Sequence, residues 1–148
     1  MENKFMKVAL SEANQAAKLG EVPVGAAIFL DGRLISVAHN LCETTSDPCA
    51  HAEILAIKKA CAALGNWRLT GASLYVTLEP CPMCAGAIIL SRISSVYFGA
   101  YDNVLGAGGG KIDLFREKLG GNNIDVYGGI LENECSELLK NFFAKKRK

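Results

Sequence analysis

Residues 73–100 read SLYVTLEPCPMCAGAIILSRISSVYFGA, and this stretch decides the predicted fold. Residues 73–78 and 95–100 are apolar runs of strand length, and a helix of about three turns fits between them, ending near Ser91. A strand, a helix and a second strand in this order form a βαβ unit with parallel strands. Pro80 or Pro82 marks the helix start, because proline suits the first helical position. Cys81 and Cys84 therefore lie where the strand turns into the helix.

Similar elements are predicted on the amino-terminal side of this unit. Helical spacing of apolar residues predicts a first helix over residues 5–19 that ends at Gly20. Residues 22–30 and 34–38 are strand-like, and Asp31-Gly32 between them is a two-residue hairpin signal, so this pair is antiparallel. A further helix runs to Leu64 and stops at Gly65; Asp47 suits its N-cap and Pro48 its first position.

The carboxyl-terminal third begins with a predicted flexible glycine loop over residues 106–110 and a short helix over residues 112–119. A strand over residues 124–127 and a closing helix over residues 132–145 are predicted to follow. Gly108-Gly109-Gly110 lacks the Lys-Ser/Thr of a phosphate-binding P-loop, which favours loop flexibility as its role. Strands that alternate with helices predict a mainly parallel sheet with helices on both faces, modified by the opening hairpin. Ligands are then expected near the carboxyl ends of the strands.

Composition predicts one globular domain over residues 1–148, because half of the residues are hydrophobic and no linker or repeat divides the chain. The net charge of +1 excludes nucleic-acid binding by bulk charge and leaves only a local basic patch. Six cysteines without a secretion signal indicate reduced thiols and a cytoplasmic protein. The apolar runs are far shorter than the ~20 residues that span a bilayer, so no membrane segment is expected.

His51, Cys81 and Cys84 form a candidate three-ligand metal site. Two cysteines three positions apart on a first helical turn can reach one metal, and His51 comes from another element. Glu53 is then a spare carboxylate. Helical positions two apart point about 200° apart, so His51 and Glu53 converge only beyond the N-terminal end of a helix. Catalytic zinc keeps three protein ligands and an open fourth position, so this ligand count favours chemistry.

Other interpretations of these residues remain. Cys-x-x-Cys near a βαβ unit is also a redox motif, and a closed structural zinc site would use a fourth ligand. Cys49 is close enough to His51 to be that ligand, although Glu53 would then have no water to act on. Cys61 and Cys135 are predicted to be small buried hydrophobic residues.

Further motifs accompany the metal signature, and together they resemble the zinc-dependent nucleobase deaminases, most closely the bacterial tRNA-specific adenosine deaminases. They are EVPVGA (21–26), HN (39–40), WRL (67–69), TLEPC (77–81), MCAG (83–86), SRI (91–93), FGA (98–100), GIL (129–131) and FF (142–143). The resemblance covers residues 5–147. It implies the three-layer α/β/α fold of the cytidine-deaminase type, with a mixed five-stranded sheet flanked by helices.

The resemblance also implies the chemistry. One Zn²⁺ per chain, bound by His51, Cys81 and Cys84, activates a water, and Glu53 is the catalytic residue that moves protons. The substrate is the wobble adenosine of a tRNA anticodon loop, which becomes inosine, and the enzyme is a homodimer.

The same resemblance assigns substrate contacts to Asn40, Val22, Pro23, Asp102 and Phe143. Taken without the family, Asn40 is a turn residue, Val22 and Pro23 begin a strand, and Asp102 caps a loop. The basic run 145–148 is a solvated tail or, beside Phe142 and Phe143, a contact for phosphates and stacked bases.

The chain departs from the family pattern at three positions that face the expected RNA. Cys42 stands where arginine is common, Cys49 where a small residue or threonine is common, and Val104 lies in a loop that often offers a lysine. The changes at Cys42 and in the loop of Val104 remove positive charge, and all three leave the metal chemistry untouched. Two rival functions also stay open: a deaminase of a free base or nucleoside of the guanine or cytosine type, and a noncatalytic zinc or RNA-binding module.

Overall fold

The computed structural model of the chain describes residues 1–146, so Arg147 and Lys148 of the predicted basic tail lie outside the described residues. Its α-helices are α1 Glu2–Lys18, α2 Cys42–Thr45, α3 Ala52–Leu64, α4 Pro82–Leu90 and α5 Glu132–Lys146. Its strands are β1 Gly25–Leu30, β2 Arg33–His39, β3 Ser73–Leu78, β4 Ser95–Ala100 and β5 Asp125–Tyr127. The strands form one sheet in the order β2-β1-β3-β4-β5.

The sheet is mixed, with equal numbers of parallel and antiparallel pairs. β1 is antiparallel to both β2 and β3, whereas β3–β4 and β4–β5 are parallel. The prediction of a mainly parallel sheet was wrong at β1–β3, because the first hairpin strand inserts between β2 and the βαβ unit. One end of the sheet therefore carries the carboxyl ends of β2, β3, β4 and β5 together with the amino end of β1.

Helices cover both faces of the sheet, and the core is divided accordingly. On β1, Ala26 and Ile28 belong to the core cluster that contains α3 and α4, while Ala27 and Phe29 belong to the cluster that contains α1 and α5. This alternation follows from the two-residue period of a strand. Gly25 permits the close approach of α1, since a Cβ at this position would overlap the carbonyl oxygen of Ala9. The result is the three-layer α/β/α arrangement implied by the resemblance.

The start of α3 differs from the prediction. His51 is the N-cap of α3, with extended backbone, and not Asp47. The Asp47 carboxylate instead accepts the backbone N–H of Cys49 at 2.8 Å, which forms a turn ahead of the helix. The short helix α2 in the preceding segment was not predicted. Gly65 ends α3 as expected, with a φ of 65°.

The predicted helix over residues 112–119 was also wrong. This segment contains the 3₁₀ turns Phe115–Glu117 and Leu119–Gly121. Lys118 and Gly120 have φ values of 51° and 67°, and such left-handed residues interrupt a right-handed helix. Among residues 1–146, none of the helices has the length and apolar character needed to cross a membrane.

The Asp31-Gly32 hairpin supports a stability prediction. Leu30 pairs with Arg33, and the two loop residues have φ values of 52° and 75°. No atom lies within 4 Å of a Cβ built on Gly32. Gly32→Ala should therefore lose about 1–2 kcal/mol of unfolding free energy through backbone strain alone. Urea unfolding measures this, with Asp31→Asn as a control that should cost less than 0.5 kcal/mol because asparagine tolerates this conformation. Equal stability of Gly32→Ala and the parent chain would contradict the proposed hairpin geometry.

Candidate active site

Three candidate metal-binding side chains meet at the end of the sheet where β2, β3, β4 and β5 have their carboxyl ends. His51 is the N-cap of α3, Cys81 is the N-cap of α4, and Cys84 lies on the first turn of α4. His51 Nδ1 is 3.6 Å from Cys81 Sγ and 3.5 Å from Cys84 Sγ. All three donor atoms lie within 4.8 Å of one another. The structure thus brings together the three predicted ligands from two separate helix starts.

This donor set fits zinc. With Zn–S bonds of about 2.3 Å and Zn–N bonds of about 2.0–2.1 Å, tetrahedral geometry holds sulfur and nitrogen about 3.6 Å apart, which matches the observed spacing. Imidazole and thiolate ligands suit this borderline-soft cation. A three-ligand set leaves the fourth tetrahedral position for a small molecule. Cys49, the predicted rival ligand, is exposed and is not part of the cluster.

Local electrostatics favour a thiolate at Cys81. The amino-terminal ends of α3 and α4 both meet here, and each contributes partial positive charge. Hydrogen bonds from Cys84 and His51 lower the pKa of Cys81 to about 4. The pKa of Cys84 is raised, because its thiol is hydrogen-bonded to Cys81 and is buried beside Glu53.

Glu53 is buried next to the cluster without belonging to the three-donor set. It lies on the first turn of α3, two residues after His51, so both side chains converge beyond the helix end as the spacing predicts. Burial raises the pKa of its carboxyl to about 7, against the opposing effect of His51. A carboxyl group that exchanges its proton near neutral pH suits general acid–base work.

A cavity of about 290 Å³ opens beside these residues. Its lining combines a few apolar side chains with several acidic ones: Glu21, Val22, Val24, Asn40, Cys42, Glu43, His51, Glu53, Leu78, Glu79, Cys81, Asp102 and Leu105. The predicted substrate contacts Val22, Asn40 and Asp102 are therefore in the same cavity as the metal-binding cluster. Phe143 is not in this set; it lies on α5, 43% exposed, and its assignment stays a prediction.

Pro23 is buried behind the cavity wall and does not line it. The N–H of Val24 donates to the carbonyl of Val22 at 2.8 Å, so Pro23 is the middle residue of a tight three-residue turn. The turn directs its two valines to the cavity. Pro23 therefore acts on the wall through the turn that it rigidifies.

Asn40 and Cys42 lie together in the cavity wall, and the N–H of Asn40 donates to the carbonyl oxygen of Val24 at 3.1 Å. The Cys42 thiol is 3.7 Å from Asn40 Oδ1 and 3.9 Å from the carbonyl oxygen of Pro48. Burial raises the pKa of Cys42, so this thiol stays protonated and donates to the amide oxygen. Cys42 thus contacts the asparagine that the resemblance assigns to the substrate, and both residues line the cavity.

Two buried carboxylates that the sequence did not single out flank the cavity. Glu21 accepts the backbone N–H groups of Glu43 and Thr44 and the hydroxyl of Thr44. These hydrogen bonds outweigh burial, and the pKa of Glu21 is lowered. Glu79 accepts backbone N–H groups from the segment that follows β4. Both residues fall within the quoted motifs, but only the folded chain reveals which backbone donors they bind.

Asp102 lines the cavity and also caps its own loop. Its Oδ1 accepts the backbone N–H groups of Val104 at 2.9 Å and Leu105 at 3.1 Å. The loop-cap interpretation of Asp102 is therefore present in the structure alongside its position in the cavity wall.

Comparison with known proteins agrees with this site. Residues 1–100, which include all three metal-binding side chains, match the family model of the cytidine and deoxycytidylate deaminase zinc-binding region. The chain belongs to the cytidine and deoxycytidylate deaminase family. Membership makes it an enzyme with a zinc-binding deaminase domain, and it confirms the fold class that the resemblance implied.

Individual deaminases are similar over almost the whole chain. A tRNA-specific adenosine deaminase of Bacillus subtilis is 51% identical, with 97% of this chain and 89% of the relative aligned. That of Agrobacterium fabrum is 48% identical over 97% and 94%. A solved tRNA:A34 deaminase has a TM-score of 0.85 and 46% identity, covering 92% of this chain and 99% of its own. The guanine deaminase of Nitrosomonas europaea has a TM-score of 0.84 and 25% identity, covering 96% and 84%.

The cluster geometry predicts different outcomes for the ligand and for the spare acid. His51→Ala should lose bound zinc, because two thiols cannot retain the three-ligand site. Glu53→Ala should keep its zinc but lose deaminase turnover by roughly 10²–10⁴-fold, since the proton-transfer group is gone. Metal content after dialysis separates the two variants. Loss of zinc from Glu53→Ala would assign Glu53 to the ligands instead.

Proposed function

We propose that this deaminase converts adenosine to inosine at the wobble position of a tRNA anticodon. The observation that carries the proposal is a buried proton-transfer carboxylate, Glu53, beside an open three-donor cluster in a cavity of about 290 Å³. That volume is at the lower limit of ligand cavities, about 300–1,000 Å³, and suits a single nucleobase. Similarity to tRNA-specific adenosine deaminases over 97% of the chain supports adenosine in tRNA as the substrate.

The reaction exchanges an exocyclic amine for oxygen. One Zn²⁺ per chain, held by His51, Cys81 and Cys84, would supply Lewis acidity to the attacking water. Glu53 accepts a proton from that water and delivers it to the adjacent ring nitrogen as the oxygen adds to C6. It then carries the second proton to the amine, the C6–N bond breaks, ammonia leaves and inosine remains.

The charge of the cavity supports a base as the bound group and phosphates as outer contacts. Its lining includes five acidic residues and no lysine or arginine among those described. A phosphate would be repelled there, whereas the polar edge of an unpaired base can donate to acceptors. Asn40, Val22 and Asp102 are proposed to contact the base or ribose, and Pro23 to set the wall.

The end of α5 is proposed to bind the RNA backbone outside the cavity. Lys146 Nζ lies 5.3 Å from the ring centre of Phe142, and Phe142 packs edge-on against Phe143. Cations beside exposed aromatic rings suit phosphates and stacked bases. Phe143 is proposed as the stacking residue.

The substrate assay distinguishes this proposal from a free-base deaminase. Purified protein is incubated with unmodified tRNA carrying a wobble adenosine, and separately with adenosine, guanine and cytidine. Inosine at that one tRNA position and ammonia release are expected, with no product from a tRNA whose wobble base is guanosine. Release of ammonia from free guanine or cytidine but not from tRNA would refute the proposal, and no product from any substrate would favour a noncatalytic module.

A homodimer is proposed, with a second copy on the outer face of α4. Leu90, Trp67 and Met83 are 72%, 54% and 37% exposed, and Leu90 and Trp67 border one apolar groove. Covering such a face suits an interface.

The single deaminase domain of residues 1–148 and a cytoplasmic location are proposed as well; all six cysteines are free thiols, which suits a reducing compartment.

Leu90→Asp tests the dimer face. A carboxylate there would be buried without a partner, so the variant should sediment as a monomer at concentrations where the parent chain is a dimer. Leu34→Asp, at a half-exposed leucine on the edge strand β2, is the matched control and should remain dimeric. A parent chain that sediments as a monomer would contradict the dimer, and a dimeric Leu90→Asp would move the interface elsewhere.

A further inference from the structure

Glu79 is a buried acid with no cationic partner among the described residues. It lies between the end of β3 and the metal ligand Cys81, and it is 2% exposed. Among residues 1–146, the close contact between an acidic and a basic side chain joins Glu12 to His39 and does not involve Glu79. A buried carboxylate without a cation needs other donors, or its burial is costly.

Backbone N–H groups of one loop satisfy this carboxylate. Oε1 accepts from Asp102 at 2.9 Å, and Oε2 accepts from Gly108 at 2.9 Å and from Gly110 at 2.6 Å. The loop of residues 102–110 therefore folds around a single side chain. The glycine loop is thus bonded to a buried carboxylate, and its predicted flexibility stays a prediction.

The alternating glycines of this loop fit the same contact. A Cβ on Gly106 would lie 2.6 Å from Glu79 Oε1, and one on Gly110 would overlap that oxygen. Neither glycine has a positive φ, so close approach both to Glu79 and to the carbonyl oxygen of Asp102 explains them. The glycines permit the backbone to reach the carboxylate.

The loop that Glu79 organises forms one wall of the active-site cavity. Asp102 and Leu105 both line the cavity, and the N–H of Ala107 donates to the carbonyl oxygen of Pro80 at 2.8 Å. The loop is thus tied both to Glu79 and to the backbone directly before Cys81. A shift of the loop would move the wall relative to the metal-binding cluster.

We propose that Glu79 is a positioning residue that holds loop 102–110 in the shape required to bind the target nucleoside. The target nucleoside in this inference rests on the proposed function, whereas the support that Glu79 gives to the loop does not. Glu79 accepts hydrogen bonds with both oxygens, and only a carboxylate has two acceptor oxygens. Glutamine has one, so its NH₂ group would face at least one backbone N–H of the loop.

Glu79→Gln is the test, measured by hydrogen exchange and by kinetics. The amides of Asp102, Gly108 and Gly110 should be protected in the parent chain, and at least the amide that faces the glutamine NH₂ group should exchange at least tenfold faster in the variant. With tRNA carrying a wobble adenosine, KM should rise on the order of tenfold while kcat stays within about threefold, because the metal cluster and Glu53 are untouched. Zinc content should equal that of the parent chain.

Glu21→Gln is the matched control, because it makes the same substitution at the buried carboxylate across the cavity. It should increase exchange at residues 43–44 and leave Gly108 and Gly110 protected. Gly110→Ala disturbs the same contact from the loop side and should reproduce the rise in KM. This second variant keeps the test decisive if Glu79→Gln does not fold.

Three results would overturn the proposal. The first is rapid exchange of Gly108 and Gly110 in the parent chain, and the second is an unchanged KM in both variants. The third is loss of zinc and of kcat at unchanged KM, which would mean that Glu79 acts through Cys81. A parent chain inactive on tRNA would refute the proposed function alone, since the exchange data need no substrate.

Discussion

The active site depends on two helices, α3 and α4, that begin next to each other at one end of the sheet. An N-cap residue is held by backbone geometry and not by a long flexible side chain, so His51 and Cys81 are oriented by the starts of α3 and α4. Their donor atoms lie 3.6 Å apart. The insertion of β1 between β2 and β3 makes this meeting possible, because it directs both chain segments to one edge.

Several acidic side chains are buried at the same end of the sheet, and they are accommodated there in two ways. Glu21 and Glu79 are each surrounded by backbone donors, and for Glu21 these hydrogen bonds lower the pKa of the carboxyl. Glu53 lacks such a cage, and burial raises its pKa to about 7. Acids that accept several backbone N–H groups support the surrounding chain, whereas Glu53 is the acid proposed to transfer protons. Environment alone thus separates one residue type into two roles.

Much of this organisation could be predicted from the sequence. The hairpin at Asp31-Gly32, the βαβ unit and the joining of His51 with Cys81 follow from local turn chemistry and ligand spacing. The antiparallel pairing of β1 with β3 could not be predicted from periodicity, since strand order depends on packing across the whole sheet. The start of α3 was misplaced because Asp47 caps a turn as readily as a helix. The loop around Glu79 was missed because its donors are backbone groups, which leave no mark in the side-chain sequence beyond the spaced glycines.

Because backbone groups hold this loop in place, its conformation does not depend on most of its side chains. The conformation of residues 102–110 is specified by backbone donors, by the Glu79 oxygens and by small residues at the points of contact. Asn103 and Val104 are exposed and take no part in the bonds to that carboxylate through their side chains. Substitutions at these two positions can alter the side chains that the rim presents to the proposed RNA substrate, while the conformation of the cavity wall is kept. The departure at Val104 therefore marks a place where substrate preference can change at little cost to folding.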